Sequence, residues 1–273
     1  METDPALVSR LRAAGCVWAE DEAALLTAAA ASAAELDRLA SRRAAGEPLE
    51  AVLGWADFCG LRVAVDPGVF VPRRRSEYLV AVALREISAP VTADPLVITD
   101  LCCGTGALGL AVAAALGPPG LAGLHAADLA PAAVACARRN IEPRGGRVYA
   151  GDLFAALPES LRGRVDVLIC NAPYVPTAQI AFLPAEAREH EDPLALDGGA
   201  DGLAVLRRAA AGAPGWLAPG GLLLTETSER QAAAMAATMA AAGLTARVHE
   251  DDESGATVVT GVREGRPDGG KPH

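Results

Sequence analysis

The chain has 273 residues, enough for one large domain or for one domain with a small partner. An apolar fraction of 51% excludes global disorder, and aromatics at only 4% make the core largely aliphatic. With 34 acidic against 24 basic side chains, the formal net charge of −10 argues against a broad nucleic-acid surface, where Lys and Arg must neutralise phosphates.

The six cysteines include no C-x-x-C pair, and several sit inside apolar runs. That is the pattern of buried, reduced thiols in a cytosolic protein. The histidines His125, His190, His249 and His273 are scattered without metal-ligand spacing, so no metal is expected. The opening METDPALVSR is acidic and has no apolar signal core. Every apolar stretch is interrupted well short of the ~20 residues of a membrane helix. A cytoplasmic protein without membrane contact is expected.

Residues 5–43 read as two or three helices. Leu7, Leu11, Val17-Trp18, Leu25-Leu26, Leu36 and Leu39 recur near helical spacing, Asp4-Pro5 is a cap and first-turn pair, and Gly15 and Gly46 are stops. Residues 54–72 change character. Alternating Trp55, Phe58, Leu61, Val63 and Val65, with the turn Asp66-Pro67-Gly68, give one or two short strands. From Ser76 onward strands and helices alternate. Strands are read at 96–101, 121–127, 147–150, 165–169 and 222–226, with helices at 108–116 and 131–140. Continuous apolar strands alternating with helices make an α/β fold with a mostly parallel sheet covered on both faces. Residues 245–250 and 257–262 flank the acidic turn 251–255 as an antiparallel hairpin. Four parts follow: an N-terminal helical unit (1–46), a linker with a short hairpin (47–75), the main α/β domain (76–263) and a polar, disordered tail (264–273).

Asp100-Leu101-Cys102-Cys103-Gly104-Thr105-Gly106-Ala107-Leu108-Gly109 follows the first strand of the sheet and opens a helix. Gly104, Gly106 and Gly109 match G-x-G-x-x-G, which lets backbone turn sharply beside a ligand. That spacing alone does not separate a nicotinamide cofactor from S-adenosylmethionine. Asp100 does bear on the choice, because a carboxylate just before the glycines suits the ammonium and sulfonium of S-adenosylmethionine better than an anionic pyrophosphate. Asp128 ends the second strand, where it can accept two ribose hydroxyls. Asp152 ends the third and can accept from an adenine amino group. One such Asp is commonly a helix cap; three in register mark the ligand edge of an open sheet.

Asn171-Ala172-Pro173-Tyr174 ends the fourth strand on the same edge. With this tetrad the chain resembles the class I S-adenosylmethionine-dependent methyltransferases that methylate planar amide or exocyclic amine nitrogens. More narrowly, it resembles the protein N5-glutamine methyltransferases of peptide chain release factors. Three further segments carry that resemblance: Gly46-Glu47-Pro48-Leu49 with Phe58-Cys59-Gly60; the run from Val69 to Glu77, with Ser76 where the family has Thr; and the loop from Glu191 to Leu203. Three departures accompany it. Ala172 stands at the tetrad's first proline, Cys102 at the first glycine of the cofactor loop, and the N-terminal unit is short.

The resemblance implies a Rossmann-like, seven-stranded sheet and transfer of a methyl group from S-adenosylmethionine to the side-chain nitrogen of a glutamine. The family's target is the Gly-Gly-Gln loop of a release factor. S-adenosylhomocysteine would be the product, and the enzyme a monomer with a protein partner. Asn171, Ala172, Pro173 and Tyr174 would be catalytic. Asp100, Cys102, Cys103, Gly104, Thr105, Gly106, Asp128, Leu129, Asp152, Leu153 and Asn171 would hold the cofactor. Phe70 and Arg73 would line the substrate entrance with Asn171 and Tyr174. Glu77 and Glu191 are candidates for loop anchoring. The alternatives are a nucleic-acid adenine or guanine N-methyltransferase, disfavoured by the acidic balance, and a NAD-binding oxidoreductase, disfavoured by Asp100 and the tetrad.

Overall fold

The structure is a computed structural model, and it describes residues 4–88 and 94–265. Most of the tail expected at 264–273 lies outside the described residues.

The N-terminal unit is three helices, α1 (Pro5–Ala13), α2 (Ala19–Ala29) and α3 (Ala33–Ala44), followed by the single turn α4 (Leu49–Leu53). The Asp4 carboxylate accepts the Ala6 N–H at the start of α1, and Ser32 accepts the Glu35 N–H at the start of α3. These side chains satisfy donors that a helix N-terminus leaves unpaired. Leu7, Leu11, Leu26, Leu39 and Val52 close a small core of their own. The linker holds the antiparallel hairpin β1 (Trp55–Phe58) and β2 (Leu61–Ala64). Its two turn residues, Cys59 and Gly60, both have positive φ, as tight hairpin turns require.

The main domain continues with α5 (Glu77–Ser88), β3 (Leu96–Leu101), α6 (Ala107–Gly120), β4 (Leu121–Asp128), α7 (Pro131–Ile141), β5 (Arg147–Ala150) and β6 (Val165–Cys170). It closes with α8 (Ala185–His190), α9 (Ala204–Trp216), β7 (Leu217–Thr227), α10 (Glu229–Ala241), β8 (Leu244–Asp251) and β9 (Ala256–Arg263). The seven-stranded sheet has the order β5-β4-β3-β6-β7-β9-β8. β9 is antiparallel to both its neighbours, and the other pairings are parallel. The C-terminal hairpin expected from the sequence is therefore present, but its second strand inserts between β7 and β8. Helices α5, α6 and α7 cover one face through Leu79, Val82, Leu110 and Val134. Helices α9 and α10 cover the other through Leu206, Trp216, Met235 and Met239.

The chain moves from β3 outward to β4 and β5, then returns to β6 on the other side of β3. That reversal opens a crevice beyond the carboxyl ends of β3 and β6, the usual ligand position in open α/β sheets. Register places Leu101 beside both Ala127 and Cys170, and Asp128 beside Ala150. The glycine turn, Asp128, Asp152 and Asn171 thus leave the sheet along one edge.

Candidate active site

A cavity of about 790 Å³ occupies this crevice. Its wall includes Cys102, Cys103, Gly104, Thr105, Asp128, Leu129, Asp152, Leu153 and all four residues of the tetrad, together with Phe70 and Arg73. Asp100 and Gly106 are not on that wall. A groove of about 950 Å³ elsewhere, between α5 and the β8–β9 turn, holds none of Asp100, Asp128 and Asp152.

Asp100 is fully buried behind the glycine turn, where its Oδ2 accepts the Gly109 N–H at 2.9 Å. A Cβ on residue 109 would come within 2.9 Å of the Asp100 Cβ, so the third glycine is required by this close approach. Gly106 has φ +78°, and a Cβ there would meet Ile141 at 2.5 Å. Both residues shape the turn from behind. Cys102 adopts φ +53°, in the left-handed region where a side chain is strained, which explains why glycine suits this position. Burial pushes the Asp100 carboxyl up to about 7, the nearby Asp128 charge adds to that, and the Gly109 N–H opposes it.

Asp128 faces the cavity. Its Oδ2 accepts from Gly104 N and its Oδ1 from Ala130 N, both at 2.9 Å. Each oxygen retains a second lone pair for a ligand hydroxyl. Burial raises its carboxyl above the ordinary range, and the backbone donors counteract that. Asp152 pairs with Arg208 at 2.6 Å. Leu129 is 58% exposed, an apolar surface turned toward the crevice.

Charge on the wall is predominantly negative. Asp128, Asp152, Glu186, Glu191, Asp192 and Asp197 line it, against Arg73, Arg75 and Arg208. Each of these arginines already has a carboxylate partner: Glu191, Glu226 and Asp152. None is left over for a pyrophosphate. The donor set fits a ligand that carries positive charge, ribose hydroxyls and an adenine, and so fits S-adenosylmethionine. Gly104 and the Cys103 and Thr105 backbone would approach it, and Asp128 and Asp152 would take its hydroxyl and amino hydrogens.

The tetrad's side chains are held by residues from two other segments, the end of β7 and the turn before α5. Glu226, at the end of β7, is 2% exposed. Its Oε1 accepts from the Tyr174 hydroxyl at 2.9 Å and from Arg75 Nε at 3.0 Å. Its Oε2 accepts from the Ser76 hydroxyl at 2.5 Å and from Asn171 Nδ2 at 3.4 Å. Burial, then the Glu226 charge, raises the Tyr174 phenol well above its ordinary value, so it stays protonated and donates. Ala172 is buried, and Pro173 follows it and biases it toward extended backbone.

The loop from Glu191 to Leu203 is the tetrad's backing. Val175 and Asp197 form a parallel bridge, and Gly198 N donates to Val175 O at 2.9 Å. A Cβ on Gly198 would stand 2.7 Å from the Pro173 carbonyl oxygen, and one on Gly202 would stand 2.2 Å from that of Tyr174. Close backbone approach is the physical reason for glycine at both places. Glu191 is buried and pairs with Arg73, whose guanidinium also lies 4.9 Å over the Phe70 ring. Glu77 instead accepts the Cys59 N–H at 3.0 Å, away from the cavity.

Sequence reasoning missed Glu226, Arg75, Gln231 and Arg208. For Glu226 a signal was present: it is an acid ending an apolar strand, as Asp100 and Asp128 are. Arg75 lay hidden in a run of three arginines, where nothing in the local pattern says which one turns inward.

The doubly wound sheet, its strand-end carboxylates and the Asn-Ala-Pro-Tyr cradle define a class I methyltransferase. Residues 61–187 match the family model described as methyltransferase small domain. A release factor glutamine methyltransferase of Geobacter sulfurreducens is 38% identical over 229 residues, covering 83% of this chain and 77% of that protein. The 4-amino-L-phenylalanine/4-methylamino-L-phenylalanine methyltransferase of Streptomyces pristinaespiralis is 38% identical over 205 residues, covering 74% and 68%. Among solved structures, a methyltransferase from Pyrococcus furiosus shares the fold, with a TM-score of 0.52 at 14% identity over 75% of this chain and 90% of that one. The chain belongs to the release factor glutamine methyltransferase family.

Proposed function

We propose that this enzyme transfers a methyl group from S-adenosylmethionine to the side-chain nitrogen of a glutamine in a peptide chain release factor, within its Gly-Gly-Gln loop. The observation that carries the reading is Asn171 on the cavity wall, with its Nδ2 turned inward to Glu226. That orientation leaves Oδ1 to the cavity. An amide nitrogen is a poor nucleophile because its lone pair is delocalised into the carbonyl. Asn171 Oδ1 and the Ala172 carbonyl accept its two N–H bonds, orient it and favour developing positive charge on nitrogen. The second acceptor is backbone, so alanine supplies it as proline would. The Tyr174 ring packs on the planar amide and excludes water. Bound S-adenosylmethionine supplies an already activated methyl group and leaves as S-adenosylhomocysteine. The protein's part is alignment and fixed dipoles; once methylated, the positively charged nitrogen gives up one N–H proton to water, so no side-chain base is needed.

The N-terminal helices form the docking unit for the partner protein. Arg43 ties that unit to the loop over the cavity by donating to Glu186 at 3.0 Å. A second reading, methylation of the amino group of a free aromatic amino acid, is favoured by the Streptomyces pristinaespiralis relative. One experiment separates them. The enzyme is incubated with labelled S-adenosylmethionine and either purified release factors or 4-amino-L-phenylalanine, and the products are examined by mass spectrometry. Label on the Gly-Gly-Gln tryptic peptide supports the first reading. Label confined to the amino acid overturns it.

A further inference from the structure

Among the described residues, Glu226 is the one buried carboxylate that touches the tetrad's side chains, and the reaction scheme above gives it no direct part. We infer that Glu226, with Ser76, is a positioning residue that locks the Asn171 amide with its oxygen toward the cavity and holds the Tyr174 phenol beside it. The inference rests on Asn171 Oδ1 being the acceptor for the substrate amide in the proposed reaction.

An asparagine amide can be turned end for end with little change in shape, and only its partners decide which end faces which way. Asn171 Nδ2 lies 3.4 Å from Glu226 Oε2 and 3.5 Å from Ser76 Oγ. A carboxylate offers only lone pairs. Ser76 has a single hydroxyl hydrogen, and that hydrogen is committed to Glu226 Oε2 at 2.5 Å. Both neighbours therefore present acceptors to Asn171. Turned over, the amide would set its own oxygen against two more oxygens in a buried site, where unpaired and opposed dipoles are costly. The inward end must be NH₂, and the outward end must be the oxygen that the transfer needs.

The same carboxylate is kept in place by its other oxygen. Tyr174 donates to Oε1 at 2.9 Å, and Arg75 does so at 3.0 Å while its guanidinium lies 5.6 Å from the Tyr174 ring centroid. Two segments thus converge on this one β7 carboxylate: Arg75 and Ser76 from the turn before α5, and Asn171 and Tyr174 from beyond β6. Moving the carboxylate would release Asn171 and Tyr174 together.

The variant Glu226→Gln tests this, because its amide can donate as well as accept and so tolerates either Asn171 orientation. The expected result is a kcat lower by about tenfold to a hundredfold, as small misplacements of reacting groups produce. KM and Kd for S-adenosylmethionine should stay within about twofold, a split that loss of folding would not give. A kcat within about twofold of wild type would overturn the inference. The sharper test is compensation. Asn171→Asp alone opposes two carboxylates, whereas the double variant Asn171→Asp/Glu226→Gln lets the new amide donate to the new carboxylate. The double variant should transfer faster than Asn171→Asp by about fivefold or more, and losses that simply multiply would overturn the inference. A further measurement needs neither turnover nor a variant. In nitrogen-15 NMR of the wild-type protein, the Asn171 side-chain NH₂ should exchange with water about tenfold or more slowly than that of exposed Gln179. Equal exchange would remove the lock whether or not a release factor proves to be the substrate.

Discussion

The side-chain Nε2 of Gln231 donates to the carbonyl oxygens of both Tyr174 and Asp201, each at 2.9 Å. One α10 side chain therefore fastens the tetrad's last residue to the loop that backs it. Gln231 also caps its own helix, accepting the Ser228 N–H at 3.1 Å. Replacing it with Leu leaves two carbonyls and a helix N-terminus without their partners. The expected loss is about 2 kcal/mol in urea unfolding, together with slower methyl transfer at unchanged cofactor affinity. Wild-type stability in Gln231→Leu would mean that the carbonyls find other donors.

In the proposed reaction, Asn171 holds the substrate amide and Asp128 the cofactor, on opposite sides of the transfer. Asn171→Ala removes an acceptor for the substrate while leaving the glycine turn and Asp128 intact. Methyl transfer is expected to disappear with S-adenosylmethionine binding largely retained. Asp128→Ala removes an acceptor for the cofactor and also the partner of the Gly104 and Ala130 N–H groups. Its affinity for S-adenosylmethionine should fall by about tenfold or more. Calorimetry and a radiolabel assay on both variants check the pair. Near-normal transfer by Asn171→Ala removes it from the mechanism, and unchanged affinity in Asp128→Ala reduces that residue to a cap.

The parallel part of the sheet was legible because β3, β4 and β6 are mostly aliphatic and each reaches a polar residue at its carboxyl end: Asp100, Asp128 and Asn171. Periodicity did not announce α9. Its sequence contains Gly212, Pro214 and Gly215, which read as breakers, yet Ala209, Ala210, Ala213 and Trp216 are buried and tertiary packing holds the helix. Gly212 itself is where the Phe154 ring seats, since a Cβ there would lie 2.4 Å from that ring. The β9 insertion between β7 and β8 was equally hidden, because a hairpin's sequence fixes its own pairing and not the strand it adds to. The site divides in the same way. Residues contributed by strand ends could be placed from the chain alone. Arg75 and Gln231 reach in from elsewhere and depend on contacts between segments far apart in sequence, and Glu226, itself a strand-end acid, takes its role from those same contacts.

Arg43 anchors the N-terminal unit by three acceptors. It donates to Glu22 at 2.7 Å, to the Glu47 carbonyl at 2.8 Å and to Glu186 at 3.0 Å. Glu22 is 7% exposed, so Arg43→Met would strand a buried carboxylate. A loss of about 3 kcal/mol is expected in unfolding of the N-terminal unit, as for other buried pairs broken on one side. Glu186 has a more exposed side chain, and Glu186→Gln should cost less than about 1 kcal/mol. Thermal unfolding of the two variants side by side checks the contrast, and equal losses would refute it.

Asp100 makes the fold less stable as pH rises toward neutrality. Its carboxyl titrates at about 7 in the folded protein, against an ordinary 3.8, chiefly because it is buried. Below the lower value both states carry the proton, and Asp100 costs nothing extra. Between the two values the folded protein holds a proton that the unfolded chain has lost, so stability falls as pH rises. Above about 7 the penalty is complete and constant. Asp100→Asn cannot ionise and escapes this slope, whatever fixed cost its amide brings. From pH 5.5 to pH 8 the variant should therefore gain about 2 kcal/mol relative to wild type in urea unfolding. Parallel stability curves for the two proteins over that range would show that Asp100 does not titrate there. Saturating S-adenosylmethionine should narrow the gap, because its positive charge favours the ionised carboxylate behind the turn.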